Sequence, residues 1–142
     1  MAQVVSVNLS EQKGTQKRPV PVGILRADYG LVGDAHAEAG PRQVSLLAEE
    51  SIETLELPDL APGAFGENII TRGICLYDLP VGTKLRIGLA LCEVTQVGKV
   101  CHDMGCAIRR VAGDCVMPRE GVFVRVLIGG PIRAGDAIFV EA

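Results

Sequence analysis

Residues 95–106, with the sequence TQVGKVCHDMGC, gather two thiols, an imidazole and an ammonium group into one short segment. A third thiol, Cys115, and the guanidinium of Arg119 follow a little further along the chain. The deprotonated thiol is the form that attacks electrophiles and binds metals, and nearby positive charge favours it. The segment is therefore a metal site, a reactive cysteine with supporting groups, or a set of ordinary buried cysteines.

Zinc is the first of these alternatives. The segment offers four side chains of the kinds that bind structural zinc, namely Cys101, His102, Cys106 and Cys115. Zinc fingers and ribbons, however, usually pair their ligands in C-x2–4-C units. His102 follows Cys101 directly, so the two side chains diverge. The spacing speaks against a structural zinc site without excluding it.

A reactive thiol is the second alternative. Cys101 follows a predicted strand and precedes a predicted short helix, with Lys99 and His102 close in sequence. The N-terminus of a helix adds partial positive charge, and such surroundings favour the thiolate. We therefore expect Cys101 to be the functional cysteine of the segment.

The other four cysteines differ in their neighbours. Most free cysteines in proteins behave as small buried hydrophobic residues. That description suits Cys75 and Cys92, which lie among isoleucine, leucine and valine. Cys106 and Cys115 have mixed neighbours, and each is a candidate secondary thiol beside Cys101.

Polar side chains also concentrate in two irregular segments. GDAHAEAGPR contains Asp34, His36 and Arg42, and FGEN contains Glu67 and Asn68. Taken one at a time, these residues are typical of solvated loops and turns. They form a binding site only if the fold brings them to Cys101. Further along, the planar guanidinium of Arg119 suits a phosphate or carboxylate ligand.

The elements that would position these groups are mostly short strands. Hydrophobic residues make up 48% of the 142 residues and aromatic residues only 4%, while 17 glycines and 8 prolines are available for turns. This composition favours aliphatic strands joined by tight turns. Residues 48–57 have helical apolar spacing, and residues 104–113 suit a short helix that ends at Gly113. We predict a single domain over residues 1–142, an all-β barrel or sandwich with one or two short helices.

Charge and composition exclude several classes of protein. The formal net charge of −3 argues against nucleic-acid binding, which usually requires a basic excess. No apolar run approaches the length of a membrane span, and the N-terminus turns polar too early for a signal peptide. Five cysteines, an odd number, speak against a complete disulfide framework. We therefore expect a cytoplasmic protein with reduced thiols.

Six segments, in this order, resemble the MOSC domain, which is named for the C-terminal domain of molybdenum-cofactor sulfurase: GDAH, RQVSLL, PGAFGENI, LPVGTKLRIG, EVTQVGKVC and the closing GG-x4-GD. The resemblance covers most of the chain. It implies a mainly β, closed or partly closed barrel and an association with molybdenum cofactor (molybdopterin), a phosphate-bearing pterin whose dithiolene holds the metal. By position, Cys101 matches the cysteine that ligates molybdenum in some members. The positions that line the family's pocket match Asp34, His36, Arg42, Glu67 and Asn68.

The resemblance also suggests how the cofactor would be held. A thiolate is a soft ligand suited to a metal that is already bound by sulfur. The dianionic phosphate needs cations and N–H donors, which Arg42, Lys99, Arg119 and a helix start can supply. Larger relatives carry an aminotransferase-like domain, which this chain lacks, so no pyridoxal phosphate site is expected.

Three functions follow from these patterns. The first is a module that carries or transfers molybdenum cofactor to a molybdoenzyme or a cofactor-biosynthesis protein. The second is an enzyme, either a small molybdenum-dependent reductase or a sulfur transferase with a persulfide on Cys101. The third is an interaction domain that is zinc-bound or metal-free. The sequence leaves open whether the chain is catalytic.

Overall fold

The structure, a computed structural model, describes residues 2–12, 16–53, 62–97 and 121–141. The predicted helix over residues 104–113 lies outside these ranges, as do the last four residues of the helix predicted over residues 48–57. The candidate residues Lys99, Cys101, Cys106, Cys115 and Arg119 also lie outside them.

Short strands dominate the described residues, as the composition predicts. The strands are β1 (Gln3–Leu9), β2 (Arg18–Val20), β3 (Gly23–Arg26), β4 (Gly30–Leu31), β5 (Val44–Ala48), β6 (Ile69–Arg72), β7 (Lys84–Ile87), β8 (Ala90–Val97), β9 (Val122–Ile128), β10 (Gly130–Ile132) and β11 (Ile138–Glu141). One α-helix, α1 (Glu49–Glu53), follows β5 directly, and a 3-10 turn covers Leu76–Asp78. The mainly β class is therefore confirmed.

The strands form two sheets. Eight of them pair in the order β11-β7-β8-β9-β5-β6-β1-β2, and three pair in the order β10-β3-β4. Of the described strand pairs, β5 and β6 are parallel and the others are antiparallel. Because parallel neighbours start at the same edge of a sheet, the residues that precede β5 and β6 lie side by side.

The large sheet curls without closing into a barrel. Its first strand meets the segment before β11 at one isolated bridge, Gln3–Ala137. Backbone bonds on either side join Val4 N–H to Asp136 O at 2.8 Å and Ile138 N–H to Ala2 O at 2.9 Å. Since this pairing does not extend along the strands, the described residues form a partly curled sheet. Of the predicted closed or partly closed barrel, the closed form is not found.

Alternation along the strands separates two faces of the large sheet. Val44 and Leu46 of β5 and Val122 and Val124 of β9 are fully buried in one aliphatic core. The small sheet adds Leu25, Leu31 and Ile132 to that core. Residues between these positions, such as Ser45 and Phe123, point to the opposite side, which we call the outer face.

The two cysteines that were predicted to be buried behave differently. Cys92 is fully buried in the core, and burial raises the pKa of its thiol to about 12. Cys75 is exposed, so that prediction is wrong. The residue that occupies the core there is Leu76, the first residue of the 3-10 turn.

No helix in the described ranges combines the length and the apolar composition that crossing a membrane requires.

Thr71 of β6 provides a test of the core. Its hydroxyl is buried and has no hydrogen-bond partner among the described residues. We expect Thr71→Val to raise the free energy of unfolding by about 1–2 kcal/mol, because it removes an unsatisfied polar group at nearly constant size. Urea denaturation measures the change.

The matched control is Thr83→Val. The Thr83 hydroxyl donates to Pro80 O at 2.7 Å, so its loss should lower the free energy of unfolding by about 1 kcal/mol. If both variants lost stability equally, the Thr71 hydroxyl would have a partner in the folded protein.

Candidate functional site

One row across the outer face of the large sheet consists of four polar side chains and one phenylalanine. Ser45 pairs with Phe123, which also pairs with Gln96 of β8. On the other side, Asn68 N–H donates to Ser45 O at 2.9 Å, and Asn8 N–H donates to Asn68 O at 2.6 Å. These five residues, which we call the outer-face row, therefore lie in one line across β1, the residue before β6, β5, β9 and β8.

Asn68 ties three of those strands together. Its Oδ1 accepts from the Ser45 N–H at 3.0 Å and from the Ser45 hydroxyl at 3.2 Å. Its Nδ2 donates to Asn8 O at 3.2 Å, while Asn8 Nδ2 donates to Glu67 O at 3.3 Å. Asn68 is almost completely buried, so these bonds fix the positions of β1, β5 and β6 relative to one another.

Glu67 organises the loop that precedes β6. Its two carboxylate oxygens accept the N–H groups of Gly63 and Phe65, each at 3.0 Å. Burial raises the pKa of Glu67 to about 7, although these N–H groups and the charge of Lys17 act in the opposite direction. The carboxyl group therefore titrates close to neutral pH while holding the loop in shape.

A buried ion pair lies beside this loop. The Lys17 ammonium, whose side chain is 2% exposed, donates to Asp34 Oδ1 at 2.7 Å and lies 3.1 Å from His36 Nδ1. Asp34 also accepts the N–H groups of Ser10 and His36. Burial alone would raise the pKa of Asp34, but the hydrogen bonds from Lys17 and Ser10 and the Lys17 charge hold it below its usual value. Asp34 is therefore an ionised carboxylate with its oxygens already in use.

Gly63 allows the two loops to pack. Lys17 N–H donates to Gly63 O at 3.1 Å, and a Cβ on Gly63 would overlap the Lys17 backbone. The φ of Gly63 is +91°, in the region that glycine tolerates best. The Glu67 loop and the Lys17–Asp34 pair are therefore one connected unit.

Arg42 lies at the other end of the outer-face row. Its Nε donates to Gln96 Oε1 at 3.1 Å, and its guanidinium lies 5.4 Å from the centre of the Phe123 ring. Both contacts hold an exposed cation next to the end of β8. In the sequence, Cys101 follows Gln96 by five residues.

A cavity of about 400 Å³ lies beside the segment that precedes Arg42. Its walls include Pro41 and Thr95, the residues directly before Arg42 and Gln96, and the Thr95 hydroxyl donates to Pro41 O. Its lining also includes two acidic side chains and one arginine, Asp28, Glu93 and Arg125. There is thus concave space beside the residues that directly precede Arg42 and Gln96.

The structure brings together some of the residues that the sequence indicated. Asp34, His36, Glu67 and Asn68 belong to one polar network around Lys17 and Asn8, and Arg42 lies at the far end of the same row. Whether this network converges on Cys101 stays a prediction, because Cys101 is outside the described residues. Within those residues, no cluster of three or more His, Cys, Asp or Glu side chains could hold a metal ion.

Sequence reasoning missed several members of the network, above all Lys17. Lys17 belongs to the polar segment EQKGTQKRP, which reads as a solvated turn. Its burial depends on Asp34, 17 residues away, and no local pattern encodes that pairing. Asn8 left a faint signal, since it is an amide near the end of a strand that is mostly apolar.

The family model of the MOSC domain matches residues 33–139. Among solved structures, the YuaD protein from Bacillus subtilis is 17% identical with a TM-score of 0.78, covering 97% of this chain and 94% of that one. YiiM from Geobacillus stearothermophilus is 22% identical with a TM-score of 0.76, covering 100% of this chain and 76% of that one. YiiM from Escherichia coli is 23% identical with a TM-score of 0.70, covering 100% of this chain and 70% of that one. At these identities the structures establish a shared fold only.

No curated protein matches the chain at a significant level.

Removing the buried cation tests the network. We expect Lys17→Met to lower the free energy of unfolding by about 3–5 kcal/mol, because it leaves the Asp34 carboxylate buried without its partner. Adding Asp34→Asn should recover part of the loss. Urea denaturation measures both changes, and Lys84→Met, at an exposed lysine, should be neutral within about 0.5 kcal/mol. Equal effects of Lys17→Met and Lys84→Met would contradict a buried ion pair.

Glu67 should make stability depend on pH. Its pKa in the folded protein, about 7, lies above the ordinary value of 4.5, so the folded state binds the proton more tightly than the unfolded chain. This contribution to the free energy of unfolding is full below pH 4.5 and is lost as pH rises to 7. The total change is on the order of 3 kcal/mol.

The measurement is urea denaturation between pH 4.5 and 8 on the wild type and on Glu67→Gln. The decline over this interval should be weaker in Glu67→Gln, whereas the control Glu38→Gln, at an exposed glutamate, should keep the wild-type slope. A wild-type slope in Glu67→Gln would show that Glu67 does not titrate in this range.

Proposed function

The chain belongs to the MOSC domain family, and from that premise we propose that it binds molybdenum cofactor at the outer-face row and carries or transfers it. In this proposal Cys101 ligates the metal or carries its sulfur. The observation that supports it best is Arg42, an exposed cation fixed by Gln96 and Phe123 where β8 leads in sequence to Lys99 and Cys101.

Arg42 has the properties of a phosphate-binding residue. Among the described residues no carboxylate pairs with it, and its only described hydrogen bond uses Nε. The outer edge of a guanidinium binds phosphate oxygens in a two-pronged arrangement that lysine cannot reproduce. The pterin phosphate would therefore lie on Arg42, with Lys99 and Arg119 as further proposed cations.

The described thiols are unsuited to ligate the metal. Cys92 is closed in the core, and Cys75 follows β6 at the end opposite to Asn68. The proposed ligand is Cys101. Four residues of extended chain span at most about 14 Å, so Cys101 stays within reach of Val97 at the end of β8. When bound, the cofactor would supply a molybdenum centre that accepts a soft thiolate.

The remaining predicted residues take different parts in this proposal. Glu67, Asn68 and Asp34 are buried and hydrogen-bonded to their own chain, so they would act by holding the loops. His36 is half-exposed and would join Arg42 in contact with the cofactor. The partner would be a molybdoenzyme or a cofactor-biosynthesis protein in the cytoplasm, where thiols stay reduced.

The test is purification from a host that makes the cofactor, followed by molybdenum analysis and pterin fluorescence. We expect molybdenum and pterin to co-purify with the wild type and to fall at least tenfold in Cys101→Ala. Cys75→Ala is the matched control and should keep both, because that thiol is exposed at the opposite end of β6. Wild-type protein that contains no molybdenum and does not take up added cofactor would overturn the proposal.

A second pair of variants tests the phosphate contact. Arg42→Met should weaken cofactor binding about tenfold or more, the loss expected for one bidentate charged contact. Arg18→Met, at another exposed arginine, should bind like the wild type. Equal binding by both variants would remove Arg42 from the proposed site.

A further inference from the structure

The two ring nitrogens of His36 have different surroundings. Nδ1 lies 3.1 Å from the Lys17 ammonium and 3.9 Å from Asp34 Oδ2, and both of these groups are buried. The His36 side chain as a whole is 47% exposed. The Nδ1 edge of the ring therefore faces two buried groups, and the opposite edge, which carries Nε2, points away from them.

The contact with Lys17 determines where the ring proton lies. An ammonium group has three hydrogen-bond donors and no acceptor, so Nδ1 can meet it at 3.1 Å only through a lone pair. A doubly protonated ring would instead place two cationic donors against each other. Lys17 keeps its own charge because the ionised Asp34 carboxylate lies 2.7 Å away.

The backbone of His36 is fixed by the same pair. Asp34 Oδ2 accepts the His36 N–H at 3.2 Å, while Asp34 Oδ1 holds the Lys17 ammonium that contacts the ring. One buried carboxylate thus sets both the position of the residue and, through Lys17, the state of its imidazole.

We propose that Lys17 is a positioning residue that holds His36 in the neutral tautomer with its proton on Nε2, so that the ring presents a hydrogen-bond donor to an oxygen acceptor of the ligand. Nδ1 is then occupied and serves neither as a base nor as a metal ligand. The loop that contains His36 and Arg42 accordingly offers one neutral donor at one end of the outer-face row and one cation at the other, and these suit different acceptor oxygens of the ligand. The contact between His36 and the ligand rests on the proposed function, whereas the tautomer of His36 does not.

Nitrogen-15 NMR of the full chain tests the tautomer directly. The chain has two histidines, His36 and His102, so a His102→Gln variant assigns the spectrum. We expect His36 to show a protonated Nε2 and an Nδ1 that is coupled through a hydrogen bond to the Lys17 Nζ. Lys84→Met should leave this signature unchanged, whereas Lys17→Met should abolish the coupling. A proton on Nδ1, in the wild type at neutral pH, would overturn the proposal.

Two substitutions of His36 test the ligand contact and do not depend on Lys17→Met folding. Glutamine places an amide nitrogen near the position of Nε2, and asparagine places one near Nδ1. Molybdenum cofactor should bind His36→Gln within a few-fold of the wild type and His36→Asn at least tenfold more weakly. Equal binding by both variants would overturn the ligand contact.

The two proposals fail in distinguishable ways. Wild-type protein that binds no cofactor would overturn the proposed function and, with it, the ligand contact of His36. The NMR signature would still decide the tautomer, because it is recorded on the chain alone.

Discussion

The buried Lys17–Asp34 ion pair is the interaction on which the candidate site depends. Taking two charges out of water costs several kcal/mol each, and their attraction offsets this only when the geometry is good and the remaining lone pairs are satisfied. Asp34 meets that condition with the N–H groups of Ser10 and His36, and Lys17 meets it through Asp34 and His36. Because each partner is costly without the other, the two loops are held in one arrangement.

The curled sheet extends that arrangement across the molecule. The parallel pairing of β5 with β6 puts Ser45 and Asn68 side by side, and the antiparallel pairing of β5, β9 and β8 continues the line to Gln96. Strand register therefore fixes the distance between the Lys17–Asp34 pair at one end and Arg42 at the other. Loops supply the functional groups, whereas the sheet determines their spacing.

The sequence predicted individual elements better than their assembly. β7 was recognisable because Leu85 and Ile87 alternate with Lys84 and Arg86, and the structure confirms that both apolar residues are buried. RQVSLL likewise corresponds to β5. Alternation is a local property, so one segment is enough to reveal it.

Pairings between distant segments could not be predicted in the same way. Three features depend on residues that are far apart in the chain. They are the parallel pairing of β5 with β6, the burial of Lys17 and the isolated bridge between Gln3 and Ala137. Cys75 shows the same difficulty on a small scale. Its apolar neighbours suggest burial, but the turn that follows gives the core position to Leu76.

The outer-face row has one consequence for how the protein acquires its site. Its members come from residues 8, 45, 68, 96 and 123, so no hairpin or contiguous fragment contains more than a small part of it. Contacts between such distant residues form late in folding, after most of the loop-closure entropy has been lost. A partly folded or shortened chain would therefore lack the complete row, which exists only once all five segments have come together.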